Sequence, residues 1–131
     1  MRLALIAIGI GLLPSFTAAQ ATATELQLRV IEAHVTHQVV LARGDADASA
    51  RSEADLAARR AELDAALGRG ERIDLPAVRA EVERQLADVE ARLREVGATC
   101  GPTPAPTAAR ARRDALIAVR AALERGPFVP R

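Results

Sequence analysis

The apolar positions of residues 75–97 recur every three or four residues, a spacing that keeps them on one face of a helix. Pro76 suits the first helical turn, where its missing N–H is not needed, and Gly97 suits the position after the last turn. We therefore predict a long amphipathic helix over residues 76–96, partly in the seven-residue repeat of a coiled coil. Its apolar stripe consists of Val78, Val82, Leu86, Val89, Leu93 and Val96.

A second helix is predicted before it, over residues 53–67. Ser52 can cap its start and Gly68 can close its end. Its apolar stripe is thinner and consists of Leu56, Leu63 and Leu67. Because the connection GRGERID is short, we expect this helix and the long helix to form an antiparallel hairpin.

A third helix is predicted over residues 108–125, after a loop rich in proline over residues 98–107. Its apolar side carries Leu116, Val119 and Leu123, and Gly126 and Pro127 follow its end. Three arginines near its start could contact phosphate or an acidic partner, but a solvated first turn explains them better. These arginines are Arg110, Arg112 and Arg113.

Residues 25–42 are compatible with either a strand or a helix. Their β-branched content suits a strand, whereas Leu28, Ile31, Val35 and Val39 line one face of a helix. We favour the helix, with a capping box of Thr24 and Gln27, because the chain offers no second strand to pair with. The predicted fold class is all-α, a small helical hairpin or bundle of three to four helices.

The first 21 residues have the order of a secretory signal peptide. Arg2 precedes an apolar run from Leu3 to Leu13, and small residues around Ala19 and Ala21 form a cleavage site. The run is too short to span a bilayer, since a helix needs about 20 apolar residues to do so. We expect cleavage after Ala21, with cleavage after Ala19 as the alternative, a single helical domain over residues 22–131, and a periplasmic or secreted protein.

The charge balance limits the classes of partner that the chain is expected to bind. Of the 18 basic residues, all arginine, Arg2 belongs to the predicted signal peptide, so 17 remain against 17 acidic residues. A nucleic-acid or anionic-membrane partner needs a basic surplus, so neither is expected. Alanine fills much of the apolar composition but contributes little burial, so the predicted core is thin. A protein partner, or a second copy in a homodimer, could cover what the monomer leaves exposed.

The histidines of IEAHVTHQVV are the main candidates for chemistry. On a helix His34 and His37 lie ~60° apart, so both could face one zinc or copper ion. Such sites usually have three or four ligands, so ordinary polar placement is the preferred interpretation. Cys100 is the single cysteine, so no internal disulfide can form in an oxidising compartment.

No combination of residues typical of hydrolysis, phosphoryl transfer or redox catalysis occurs, so we expect a protein that is not an enzyme. The favoured function is an exported helical interaction, scaffold or chaperone-like protein that acts through the apolar stripe. The alternative is a periplasmic metal-binding protein that uses His34 and His37. The chain is similar to small exported stress chaperones in size, predicted export and helicity alone, since it lacks their LTxxQ motif.

Overall fold

The computed structural model describes residues 21–99 and 107–130, which form four α-helices and no strand. The helices are α1 (Ala23–Arg43), α2 (Ala46–Gly68), α3 (Leu75–Thr99) and α4 (Thr107–Leu123). The prediction of an all-helical bundle is confirmed over these residues, and residues 25–42 are helical. The predicted signal peptide, apart from Ala21, lies outside the described residues, as do Cys100 and most of the predicted loop over residues 98–107.

The first helix begins with a different capping residue from the predicted one. The Thr22 side chain accepts a hydrogen bond from the Glu25 backbone N–H at 3.2 Å, and Gly44 ends the helix with a φ of 74°. Thr24 instead accepts from the backbone N–H of Asp74 at 2.9 Å. The capping box of Thr24 and Gln27 was therefore wrong, because Thr24 holds the connection that precedes α3.

The second helix begins seven residues earlier than its prediction over residues 53–67. Asp45 caps it, accepting from the Ala48 backbone N–H at 3.0 Å, so Ser52 lies inside the helix and does not cap it. A carboxylate is as good a cap as a serine hydroxyl and also interacts favourably with the helix dipole. The turn at Gly44 and Asp45 is therefore tight, and α1 and α2 follow each other almost directly.

The third and fourth helices differ from their predictions only at their ends. Asp74 caps α3 by accepting from the Ala77 N–H at 3.2 Å, and the helix continues through Gly97 to Thr99. The guanidinium of Arg79 donates two hydrogen bonds to the Leu123 carbonyl, at 3.1 and 2.7 Å. These bonds satisfy a carbonyl at the end of α4, two residues before its predicted end.

The helices pair differently from the predicted hairpin. α1 packs against both α2 and α4, and α3 packs mainly against α4, whereas no Cα atoms of α2 and α3 come within 8 Å of each other. The expected hairpin of α2 with α3 was therefore wrong. A short connection permits a hairpin but does not require one, and here both helices satisfy their apolar faces against other partners.

Two clusters of buried side chains explain this arrangement. The main cluster joins α1, α3, α4 and the C-terminal tail, and contains Ile31, Val35, Val78, Val82, Leu86, Val89, Ala115, Leu116, Val119, Leu123 and Phe128. The smaller cluster joins α1 to α2, and contains Ala23, Leu26, Val30, Ala33, Leu56, Leu63 and Ala66. Ile73, in the connection between α2 and α3, is partly buried against both clusters. α1 therefore has two buried faces, and α2 has one.

Most of the predicted interaction stripe lies in the protein's own core. Val78, Val82, Leu86 and Val89 are buried in the main cluster, and Leu93 and Val96 are half-buried. The first four residues are therefore not a free surface for a partner, because α4 and α1 already cover them. A role of Leu93 and Val96 in binding stays a prediction.

Over residues 21–99 and 107–130, no helix combines the length and the apolar character that crossing a bilayer requires.

Candidate functional site

A groove of about 680 Å³ lies between α1 and α4. We call it the α1–α4 groove; it is lined by His34, Gln38, Leu41, Ala42, Ala111, Asp114, Ala115 and Ala118. Leu41 is 49% exposed although it is a large apolar residue. The groove therefore combines apolar walls with a few polar groups, which is typical of binding sites.

The groove ends at the C-terminal tail. The ring of His34, which lines the groove, meets the ring of Phe128 edge-on, with centroids 4.9 Å apart and an interplanar angle of 72°. Phe128 follows the turn after α4 and is buried in the main cluster. His34 is therefore shared by the groove and by the site that holds Phe128.

Gln27 of α1 fixes the tail. Its side chain is fully buried, with 0% exposure, and its amide makes two hydrogen bonds with the backbone of Phe128. Nε2 donates to the Phe128 carbonyl at 3.0 Å, and Oε1 accepts from the Phe128 N–H at 2.9 Å. Burying an amide is costly unless it is paired, so Gln27 and the backbone of Phe128 stabilise each other.

The two histidines have different partners. His34 faces Phe128 and the groove, whereas His37 Nδ1 lies 2.7 Å from Ser52 Oγ of α2. Burial lowers the pKa of His34 below its ordinary value, and the nearby charge of His37 lowers it further. The neutral imidazole of His34 is therefore the form that this position favours.

We expect the melting temperature of the protein to decrease between about pH 7 and pH 5, and His34→Gln to reduce that decrease. The pKa of His34 is ordinary, 6.5, in the unfolded chain and lower in the folded protein. The stability that neutral His34 contributes is therefore complete above pH 6.5 and is lost as the pH falls through the lower, folded value. Melting curves followed by circular dichroism over this range test the difference; equal pH slopes for wild type and variant would contradict it.

The contact of Ser52 with His37 is not arranged for nucleophilic catalysis. Ser52 Oγ donates a hydrogen bond to the Ser49 carbonyl at 3.0 Å, so it accepts a hydrogen bond from His37 Nδ1. A general base would need a free lone pair directed at the serine hydroxyl. Ser52 is instead a mid-helix serine bonded to its own preceding turn, and it joins α2 to α1.

The described residues contain no group of three or more His, Cys, Asp or Glu side chains that could hold a metal ion. His34 and His37 remain the two predicted ligands for zinc or copper. Cys100, which could add a third, lies outside the described residues. The metal-binding hypothesis therefore stays a prediction. The structure supports it only in that His34 and His37 lie close enough for the charge of His37 to lower the pKa of His34.

The predicted arginine cluster divides into separate roles. Arg112 makes two 3.3 Å contacts with the Glu32 carboxylate and one of 3.3 Å with Gln85 Oε1, so it links α4 to α1 and α3. Arg113 pairs with its neighbour Asp114 at 3.2 Å. The interpretation of these arginines as a solvated first turn is therefore incomplete for Arg112, because its guanidinium links three helices.

Sequence reasoning missed the pair of Gln27 and Phe128. The available indication was that Gln27 lies four residues before Ile31 and eight before Val35, in line with apolar positions of α1. A polar residue on a buried face needs a partner. Its partner lies 101 residues away in the chain, and no local pattern identifies it.

A scan against protein-family models, a search of curated proteins and a search of solved structures each find no match to this chain. Over the described residues, the fold and the groove define a small all-helical protein with a concave surface between α1 and α4. Its function is therefore inferred from its own residues.

Proposed function

We propose that this chain is an exported, non-enzymatic helical protein that binds an apolar segment of a partner protein in the α1–α4 groove. The observation that carries the proposal is the exposure of Leu41 in the wall of the α1–α4 groove. An exposed leucine alone is ordinary, but one beside a row of alanines in a concave surface offers a partner a place to bury apolar area. In this proposal the α1–α4 groove is the interaction surface, a function that the sequence analysis gave to the whole apolar stripe of the long helix.

The groove suits a chaperone-like or scaffold role for two physical reasons. Ala111, Ala115 and Ala118 leave room beside Leu41, because a methyl group is the smallest apolar side chain. The polar side chains of Gln38 and Asp114 at the same groove can orient the backbone of a bound segment. Export follows from the N-terminal pattern of charged, apolar and small residues, and remains part of the proposal.

We expect Leu41→Glu to abolish the binding of apolar segments while leaving the fold intact. A charge in the groove opposes apolar burial, and the lost leucine contact alone is worth roughly 1.5 kcal/mol, or about ten-fold in affinity. The assay is suppression of the aggregation of reduced insulin by the purified protein. Circular dichroism of both proteins checks that the helical content is equal.

Leu67→Glu is the matched control, since Leu67 is also an exposed leucine, at 37%, but lies on α2 outside the groove. It should suppress aggregation as well as wild type does. Equal loss in both variants would show that any added charge is harmful, and equal retention would remove the groove from the proposal. A wild-type protein that suppresses no aggregation and binds no apolar peptide would refute the proposed function.

A further inference from the structure

Phe128 is held both through its backbone and through its ring. The amide of Gln27 pairs with both its N–H and its carbonyl, as a neighbouring strand would. Burial then alternates along the tail: Phe128 and Pro130 are buried, and Val129 between them is exposed. This alternation is the period of extended backbone, and it defines a pattern of phenylalanine, any residue, proline.

The site has the properties of a recognition site. Gln27 is fully buried, so its bonds to the backbone are shielded from water, and they do not depend on which side chain the bound residue carries. The aromatic ring enters the main cluster and meets His34, which are contacts that do depend on the side chain. Because His34 also lines the α1–α4 groove, the site that holds Phe128 adjoins the groove at this one residue.

The tail is held in this site by few bonds. In the part of the chain that the structure describes, Gln27 makes the only hydrogen bonds to residues 127–130. The turn before them has two backbone bonds, from Arg125 N–H to Ala122 and from Gly126 N–H to Leu123. A competing segment of the same chemistry could therefore make the same hydrogen bonds with Gln27 that the tail makes. Gln27 would then be paired both with the tail bound and with the segment bound.

We propose that this site binds an extended partner segment in which phenylalanine is followed two residues later by proline, and that the C-terminal tail occupies it in the absence of a partner. The inference rests on the proposed function and specifies the partner at one end of its groove. The tail thereby limits access to the groove, since a partner segment must displace Phe128 to bind along the whole surface.

The test uses the full chain with Phe128→Ala and a fluorescent peptide with the sequence of residues 124–131, ERGPFVPR. The peptide should bind the variant at least about ten-fold more tightly than wild type, because the tethered wild-type tail competes at an effective concentration in the millimolar range. The peptide ERGPAVPR should bind neither protein. Val129→Ala is the matched control variant, since it changes an exposed residue of the same tail, and should behave as wild type.

Several results would overturn the proposal: no binding to a folded Phe128→Ala protein, equal binding of both peptides, or exchange of tails between two copies to form a dimer. If Phe128→Ala does not fold, wild type is titrated with each peptide to concentrations above the millimolar effective concentration of the tail, while the Gln27 side-chain NH₂ signals are followed by NMR. A shift caused by the phenylalanine peptide alone supports the site, and no shift refutes it.

The two proposals fail in different ways. Loss of aggregation suppression in Leu41→Glu without peptide binding would retain the proposed function and refute the recognition site. Peptide binding without any effect of Leu41→Glu would retain the site and refute the function of the groove.

Discussion

Replacing Val82 with glutamate is expected to unfold the protein and not merely to weaken a contact with a partner. Val82 has 0% exposure and lies in the main cluster, between the contributions of α1 and α4. The change removes the burial of a valine, worth about 1.5–3 kcal/mol. It also places a carboxylate where a charge costs several kcal/mol more. The sum is comparable with the total stability of roughly 5–15 kcal/mol of a small domain.

Circular dichroism at 222 nm and size-exclusion chromatography measure this effect. Ala87→Glu is the matched control, because it adds the same charge to an exposed position of α3, five residues along. We expect the control to stay helical, with a change in stability within about 0.5 kcal/mol. A folded Val82→Glu protein with a normal melting temperature would contradict the placement of the stripe in the core. It would restore the stripe as a free interaction surface.

The four helices could be predicted because their causes are local. Apolar spacing of three and four, a proline in the first turn and glycines near the last turn act within a few residues of one another. The long helix was predicted to within a few residues at each end for this reason. The start of α2 was missed because both Asp45 and Ser52 can cap a helix, and the sequence between them is rich in alanine and equally helical.

The pairing of the helices could not be predicted from the same patterns. α1 carries two apolar faces, one with Val30 and one with Ile31, and its stripe was interpreted as a single face. The stripe of α2 is thin and lies beside alanines, so its spacing alone does not identify the helix that it packs against. Which helices pack together therefore depended on the sum of their long-range contacts. The short connection between α2 and α3 wrongly indicated that these two helices form a hairpin.

Polar residues within apolar faces carried information that spacing alone did not convey. Arg79 interrupts the stripe of α3, and its guanidinium binds the Leu123 carbonyl at the end of α4. Gln27 interrupts a face of α1 and binds Phe128. In each case the position of the polar residue is explained by its hydrogen bonds to the backbone of a segment that is distant in the sequence. Such interruptions indicate that a contact exists, whereas only the tertiary fold identifies the contact.

Most of the stripe was predicted as the interaction surface because a sequence does not distinguish an apolar face used in the core from one used for a partner. The burial of Val78 to Val89 assigns that part of the stripe to the core. An exposed apolar surface lies instead where α1 continues beyond the main cluster, at Leu41 and the adjoining groove. A thin core and an open groove have the same cause, since alanines on α4 do not fill the space beside α1.

Gln27→Leu is expected to lower the free energy of unfolding by about 2–4 kcal/mol, because a side chain of similar size loses both hydrogen bonds to the Phe128 backbone. Leaving a buried N–H and carbonyl unpaired costs about 1–3 kcal/mol each. Release of the tail limits this cost to the loss of phenylalanine burial, about 1.5–3 kcal/mol, and of the remaining tail contacts. For a domain of about 100 residues the melting temperature should then fall by roughly 10–25 °C.

Urea and thermal unfolding measure this loss, and hydrogen exchange at the Phe128 amide shows whether the tail has been released. Gln38→Leu is the matched control, since it makes the same chemical change on the same helix, at a half-buried groove residue with no hydrogen bond in the described part of the chain. Its stability should stay within about 0.5 kcal/mol of wild type. If both variants have equal stability and the Phe128 amide stays protected in each, Gln27 does not hold the tail. The tail would then be fixed by burial of the phenylalanine ring alone.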